Sequence, residues 1–399
     1  MSGRTEDIQA LLDEGQAEAA LSRAREILQA KPDRAGVARL AALAAAATGR
    51  AEEISAEFER LVTSHPTDAW AQAAAERAAP SVPEHPVVAR LLCEQAIKAA
   101  DHAAARATGL KGLASRPVTV SHTVLAHQLL HLGLRPEVTA WMADVEASPE
   151  AFANPQAAGA FERFAEQQKA IAASGSVRLE TAEHGRAVLF VFSGLRNRPG
   201  MSEESLIAAL EGLPVHVVIL RDPDLLMYMA GVPGLGVGFD VTCEAMRRMA
   251  RDLGAERILT FGVSGGGYAA LVYADALDAH AVLGDSALTI MTEDSMRRDG
   301  RAGAVADRML AETPDQLRDM REVLRARATP IRVELLYGAE MPIDRAYAER
   351  MADVPGVRLR PFAKLSGHPV ASQLPDEEAG ELLRDFVSRA LDGDPASTG

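Results

Sequence analysis

Two cysteines, Cys93 and Cys243, stand in a chain of 399 residues. That is too few for a disulfide framework or a cysteine-rich metal site. Basic residues are in the minority: 42 Lys and Arg against 56 Asp and Glu leave a formal charge of −14. A nucleic-acid binder normally carries a basic face, so nucleic acid is not an expected partner. No apolar run approaches the roughly 20 residues of a membrane span. The longest candidate, GVARLAALAAAATG, is mostly alanine and contains Arg39. The N-terminus lacks a basic segment followed by an apolar core, so no signal peptide is expected and the cytoplasm is the expected compartment. No HExxH, CxxC or clustered His/Asp pattern points to a metal, and no cofactor is called for. What remains is an ordinary globular composition, 48% hydrophobic and 25% charged, long enough for two domains.

The two halves differ. Residues 1–172 are alanine-rich with helical periodicity. Gly15 and Gly49 are 34 residues apart, as are Pro32 and Pro66, and EGQAEAALSRAREILQAKPDRA aligns without a gap on TGRAEEISAEFERLVTSHPTDA. Weaker copies run from Ala100 to Pro117 and from Gly133 to Pro149. A 34-residue helix–turn–helix period resembles tetratricopeptide repeats, although PSVPEHP interrupts it and Ala or Leu fills most of that repeat's aromatic positions. Stacked hairpins share a core and leave a concave surface. The resemblance implies a protein partner or self-association through these helices; packing alone is the competing reading.

Residues 173–399 alternate strands with helices. Seven strand candidates fall at 176–182, 186–192, 215–220, 257–262, 280–284, 331–337 and 357–362. Several are apolar throughout, as strands covered on both faces must be. The pattern predicts an α/β fold with a doubly wound, mainly parallel sheet. About residues 286–330 form a helical insertion, with one helix expected to open at Thr313-Pro314-Asp315-Gln316. Ligands on such sheets bind at the carboxyl ends of the strands, so the residues just after each strand carry the functional information.

After RILTFG comes Gly262-Val263-Ser264-Gly265-Gly266-Gly267, then an apolar helix. G-x-S-x-G between strand and helix is the pattern of a nucleophile elbow: a sharp turn lifts the serine hydroxyl clear of the sheet, and glycines avoid collision across it. The same stretch also reads as a dinucleotide loop, Gly265-x-Gly267-x-x-Ala270 with Asp285 on the next strand, but that leaves Gly262 unexplained. A serine needs a base. Of the histidines after Ser264, His280 begins a strand at the wrong end of the sheet, whereas His368 lies in AKLSGHPV after the last strand. Asp344, in the loop after the penultimate strand, is the first choice of acid; Glu340 and Asp285 stay open, and a helix N-cap is the other role for Asp344. Amides of Gly265 and Leu195 are candidates for an oxyanion hole, Gly194 permitting close backbone approach. Met227 and Tyr228, with Met229 and Leu235, follow a strand and are candidates for an apolar substrate wall, or else pack against the insertion. Arg196 and Arg198 are candidates for an anionic substrate group.

In order and placement these residues resemble the α/β-hydrolase superfamily over about 176–394. The resemblance implies an insertion that caps the site. It also implies a serine hydrolase of a carboxylic ester or thioester, acting through a covalent Ser264 intermediate on a small acyl-bearing substrate. Acyl transfer to another acceptor and a non-catalytic adaptor built on the helical repeats are the competing functions.

Overall fold

The computed structural model describes residues 3–392 except 33, 65–68, 81, 83, 100, 196 and 300–302. Pro66, Ala100 and Arg196 therefore lie outside the described residues. The chain divides into two compact units, Met1–Gln167 and Gln168–Gly399.

The first unit is all helical. Its helices are α1 (Gly3–Asp13), α2 (Ala17–Ala30), α3 (Ala35–Thr48), α4 (Ala51–Ser64), α5 (Ala69–Ala78), α6 (Pro86–Lys98), α7 (His102–Leu113), α8 (Val120–His131), α9 (Arg135–Glu146) and most of α10 (Pro155–Ser174). Gly15, Gly49 and Gly133 follow α1, α3 and α8 with φ of 75°, 68° and 82°, the left-handed geometry that ends a helix. Neighbours in sequence pack in space, α2 on α3, α3 on α4 and α5, and α6 on α7 and α8. Alanine makes up much of the buried surface of α3, which lets these helices approach closely.

The second unit is built on a seven-stranded sheet. The strands are β1 (Val177–Glu180), β2 (Ala187–Phe192), β3 (Val215–Leu220), β4 (Arg257–Val263), β5 (Ala281–Asp285), β6 (Arg332–Gly338) and β7 (Val357–Phe362), in the order β1-β3-β2-β4-β5-β6-β7. All pairs are parallel except β1 with β3. All seven expected strands form. The continuous burial of β2, β3 and β5 has the expected cause, because successive residues serve opposite layers. Ala187, Leu189 and Val191 of β2 pack with α11 (Glu203–Leu210) and α18 (Asp376–Asp392). Val188, Phe190 and Phe192 pack with α12 (Phe239–Asp252) and α13 (Gly265–Leu277). Burying each such side chain contributes roughly 1.5–3 kcal/mol, so both layers stabilise the central strands.

Between β5 and β6 lies the expected helical insertion: α14 (Glu293–Asp299), α15 (Gly303–Glu312) and α16 (Met320–Arg325). The helix expected to open at Thr313 is only a single 3-10 turn, Pro314–Gln316. Thr313 Oγ1 bonds back to Met309 O at 3.2 Å instead of capping that turn, and α16 is capped by Asp319. The segment between β3 and α12 also holds a hairpin that the sequence pattern did not predict, Gly231–Val232 paired with Gly236–Val237.

Candidate active site

β4 ends at Val263 and α13 begins at Gly265, leaving Ser264 as the whole of the turn. Its φ of 56° and ψ of −120° are strained for a residue with a side chain. The surroundings hold it there. A β-carbon on Gly262 would lie 2.1 Å from Gly266 O, and one on Gly266 would lie 2.3 Å from Phe192 O and 2.4 Å from Ser193 O. The elbow is thus pressed against the end of β2, closer than any side chain permits. Ser264 N–H donates to Asp285 O at 2.9 Å, tying the turn to β5.

His368 sits between β7 and α18. Its Nε2 is 2.7 Å from Ser264 Oγ and its Nδ1 is 2.7 Å from Asp344 Oδ2. A carboxylate only accepts, so Nδ1 carries the proton and Nε2 is left to accept from the serine hydroxyl. Burial falls along this chain: the Asp344 side chain is 0% exposed and that of His368 is 24% exposed. The acid is therefore shielded from water, while the imidazole borders solvent. Asp344 is the third residue of α17 (Pro342–Glu349), whose N-cap is Met341, so it lies within the first turn rather than capping it.

The other two acid candidates are elsewhere. Glu340 is exposed. Asp285 is fully buried and accepts Val370 N–H at 3.0 Å and Ala371 N–H at 2.8 Å. Burial pushes its carboxyl up to about 6, against the pull of those amides. Engaged in this way, Asp285 presents no exposed oxygen to a nucleotide ribose. His280 precedes β5, at the end of the sheet remote from Ser264, where its Nδ1 accepts Ile258 N–H at 3.3 Å.

Gly194 lies beside the nucleophile: a β-carbon on it would be 3.8 Å from Ser264 Cβ and 3.2 Å from Val263 O. Gly194 N–H is committed to Arg198 O at 3.0 Å, and Gly194 O accepts Asn197 N–H at 2.7 Å. Among the described residues, the amides of Leu195 and Gly265 have no acceptor. Gly265 also opens α13, whose positive end faces the same space. Arg198 is exposed.

Of the proposed substrate wall, Met227 is buried in the core against Gly265. Its Cγ and Sδ lie 3.2 Å from where a β-carbon on Gly265 would stand. Tyr228 belongs to the frame instead of the wall. It is 1% exposed, and its hydroxyl is shared between Leu220 O at 2.8 Å and Ser193 O at 3.0 Å, joining the ends of β3 and β2. Met229 is likewise buried, and Leu235 packs against the same core. Sequence reasoning missed the brace beneath these residues. Asp222 accepts Tyr228 N–H at 2.9 Å, and Asn197 Oδ1 accepts Asp222 N–H at 2.8 Å, so the Gly194 turn and the Met227 loop are fastened together. Burial raises the Asp222 carboxyl to about 6. The insertion seats on the same loop and on α13: Arg308 donates to Asp224 O at 2.8 Å, and Tyr268 of α13 donates to Gln316 O at 3.0 Å.

No protein-family model and no curated protein matches the chain. Solved structures resemble its C-terminal part. It is similar to an α/β hydrolase from a sediment metagenome of the Mar Chica lagoon, Morocco, at 17% identity over 53% of this chain and 94% of that one, with a TM-score of 0.37. A carboxylesterase of the thaumarchaeon Nitrososphaera gargenis is similar at 13% identity, over 54% and 95%, with a TM-score of 0.39. The proline iminopeptidase of Mycobacterium smegmatis is similar at 14% identity, over 55% and 96%, with a TM-score of 0.35. On its own strand order, its single antiparallel edge pair and its serine turn between β4 and α13, the C-terminal unit has an α/β-hydrolase fold.

Proposed function

We propose that this protein is a serine hydrolase that cleaves a carboxylic ester or thioester through an acyl-enzyme on Ser264. The observation that carries this reading is the unbroken chain from Ser264 Oγ through His368 to Asp344, with 2.7 Å at each link. His368 Nε2 takes the hydroxyl proton as Oγ attacks the carbonyl carbon. Asp344 holds the imidazole in the needed tautomer and offsets its charge once protonated. The Gly265 and Leu195 amides stabilise the tetrahedral oxyanion. Collapse breaks the C–O or C–S bond, and the leaving alcohol or thiol takes its proton from His368. Water then attacks the acyl-enzyme by the same route in reverse, releasing the acid and restoring Ser264.

Met227, lying against Gly265, supports an apolar acyl portion next to the reacting carbonyl. The test is turnover of p-nitrophenyl esters and their thioester counterparts by the wild type, Ser264→Ala and His368→Ala. The wild type turns over at least one of these, and each variant loses about 10⁴-fold or more. Turnover of Ser264→Ala equal to the wild type overturns the reading.

A further inference from the structure

Asp285 plays no part in the steps above, yet its carboxylate is fully buried beside the site. Burying that charge is costly unless each oxygen is occupied. Both are. Oδ1 accepts from Val370 N–H and from Ser286 Oγ, at 3.0 and 3.1 Å, and Oδ2 accepts from Ala371 N–H at 2.8 Å. Val370 and Ala371 are the second and third residues after His368. The main-chain oxygen of Asp285 accepts Ser264 N–H at 2.9 Å. One residue therefore grips both ends of the Ser264–His368 hydrogen bond, the nucleophile through its backbone and the base through its carboxylate.

Gln373 braces the same loop. Its Oε1 accepts Gly367 N–H at 2.9 Å and its Nε2 donates to Pro369 O at 3.1 Å. Those are the two neighbours of His368. The base is thus bracketed before and after, and its loop is fastened to β5 besides. A two-oxygen acceptor suits a pair of adjacent amides. Asparagine would turn an NH₂ group toward one of them.

We propose that Asp285 and Gln373 are positioning residues that hold the His368 imidazole in line with Ser264 Oγ, and that Asp285 is not a second triad acid. This rests on Ser264 and His368 being the reacting pair. The test uses the full chain with Asp285→Asn, Gln373→Ala and each of these combined with His368→Ala. A fluorophosphonate counts competent sites, and kcat and KM are measured for a p-nitrophenyl ester. Displacing a base by about 1 Å costs on the order of 10²-fold, so kcat per titrated site falls about 10–10²-fold in each single variant while KM stays within about twofold. Because both residues act through the imidazole, neither change lowers the residual turnover of His368→Ala further. Fewer titratable sites, each turning over at the wild-type rate, would mean a merely structural role and overturn the proposal. Gln373, half-buried on its loop, keeps that comparison available should Asp285→Asn not fold. A wild type that titrates no site at all removes the reading beneath the proposal and the proposal with it.

Discussion

Gly266→Ala tests whether the serine turn is held by its contact with β2. The new β-carbon would stand 2.3 Å from Phe192 O and 2.4 Å from Ser193 O. Ordinary carbon–oxygen contact begins at roughly 3.3 Å, so something must move by about 1 Å. Neither neighbour is a flexible tip. Phe192 belongs to a central strand, and Ser193 is held by its N–H on Leu220 O and by the Tyr228 hydroxyl on its own carbonyl. Overpacking of this kind costs about 1–3 kcal/mol, or roughly 2–12 °C in melting temperature for a unit of this size. The same movement parts the Gly265 amide from the Leu195 amide, because Ser193 leads directly into the Leu195 turn. Losing one such donor costs about 10²–10³ in kcat. The assay is thermal melting beside ester turnover per titrated site. Gly254→Ala is the comparison: φ is 67° there and nothing lies within 4 Å, so that change strains only the backbone. Its expected cost is about 1–2 kcal/mol with kcat unchanged. Wild-type melting and turnover in Gly266→Ala would refute the reasoning.

Asp344→Asn keeps the shape of the side chain but favours the wrong imidazole tautomer, so kcat falls by about 10⁴-fold with little change in melting temperature, whereas Glu340→Gln, on the surface, leaves both unchanged. Acid weakens the helical unit through His85 and His122, which burial holds down to about 4 from 6.5. The unfolded chain takes up these protons first, so the stabilisation is complete above 6.5 and is lost as pH falls from 6.5 through 4. Both tryptophans, Trp70 and Trp141, belong to that unit, and the Trp141 ring stacks 6.4 Å from His122. Urea melts followed by tryptophan fluorescence should lose about 2 kcal/mol per histidine between about pH 7 and pH 5, and identical midpoints would count against it. Asp222 and Asp285 act in the opposite sense in the sheet unit. Their carboxyls are raised to about 6, so the stability they favour is greatest below the ordinary 3.8 and is lost as pH rises through 6.

The sheet was legible because its strands are short, several of them continuously apolar, and punctuated by glycine or proline. A chain such as RAVLFVF satisfies two hydrophobic layers at once, and no amphipathic helix has that pattern. The Ser264, His368 and Asp344 chain was legible through order along the sequence, since each follows a strand whose carboxyl end faces one side. Sequence left Asp344, Glu340 and Asp285 as three acids within one edge of the sheet. Only geometry separates a buried carboxylate on an imidazole from one on two amides. Tyr228 shows the reverse difficulty. Its position after β3 suggests a wall of the cleft, but a phenol has a hydroxyl that must find a partner when buried, and two strand-end carbonyls lie within reach. Asn197, Asp222 and Gln373 were invisible because each binds main-chain groups that no residue pattern marks: Asn197 reaches the Asp222 amide, 25 residues away, while Asp222 and Gln373 bond backbone within six residues of themselves. At Thr313 a local capping pattern was outweighed when the hydroxyl bonded back to Met309 O.

The most direct measurement is mass mapping of the intact protein after reaction with a fluorophosphonate. One adduct per chain on Ser264, absent in Ser264→Ala and slowed by orders of magnitude in His368→Ala, is the predicted result. An unlabelled wild type, or a label on any other serine that survives Ser264→Ala, contradicts it.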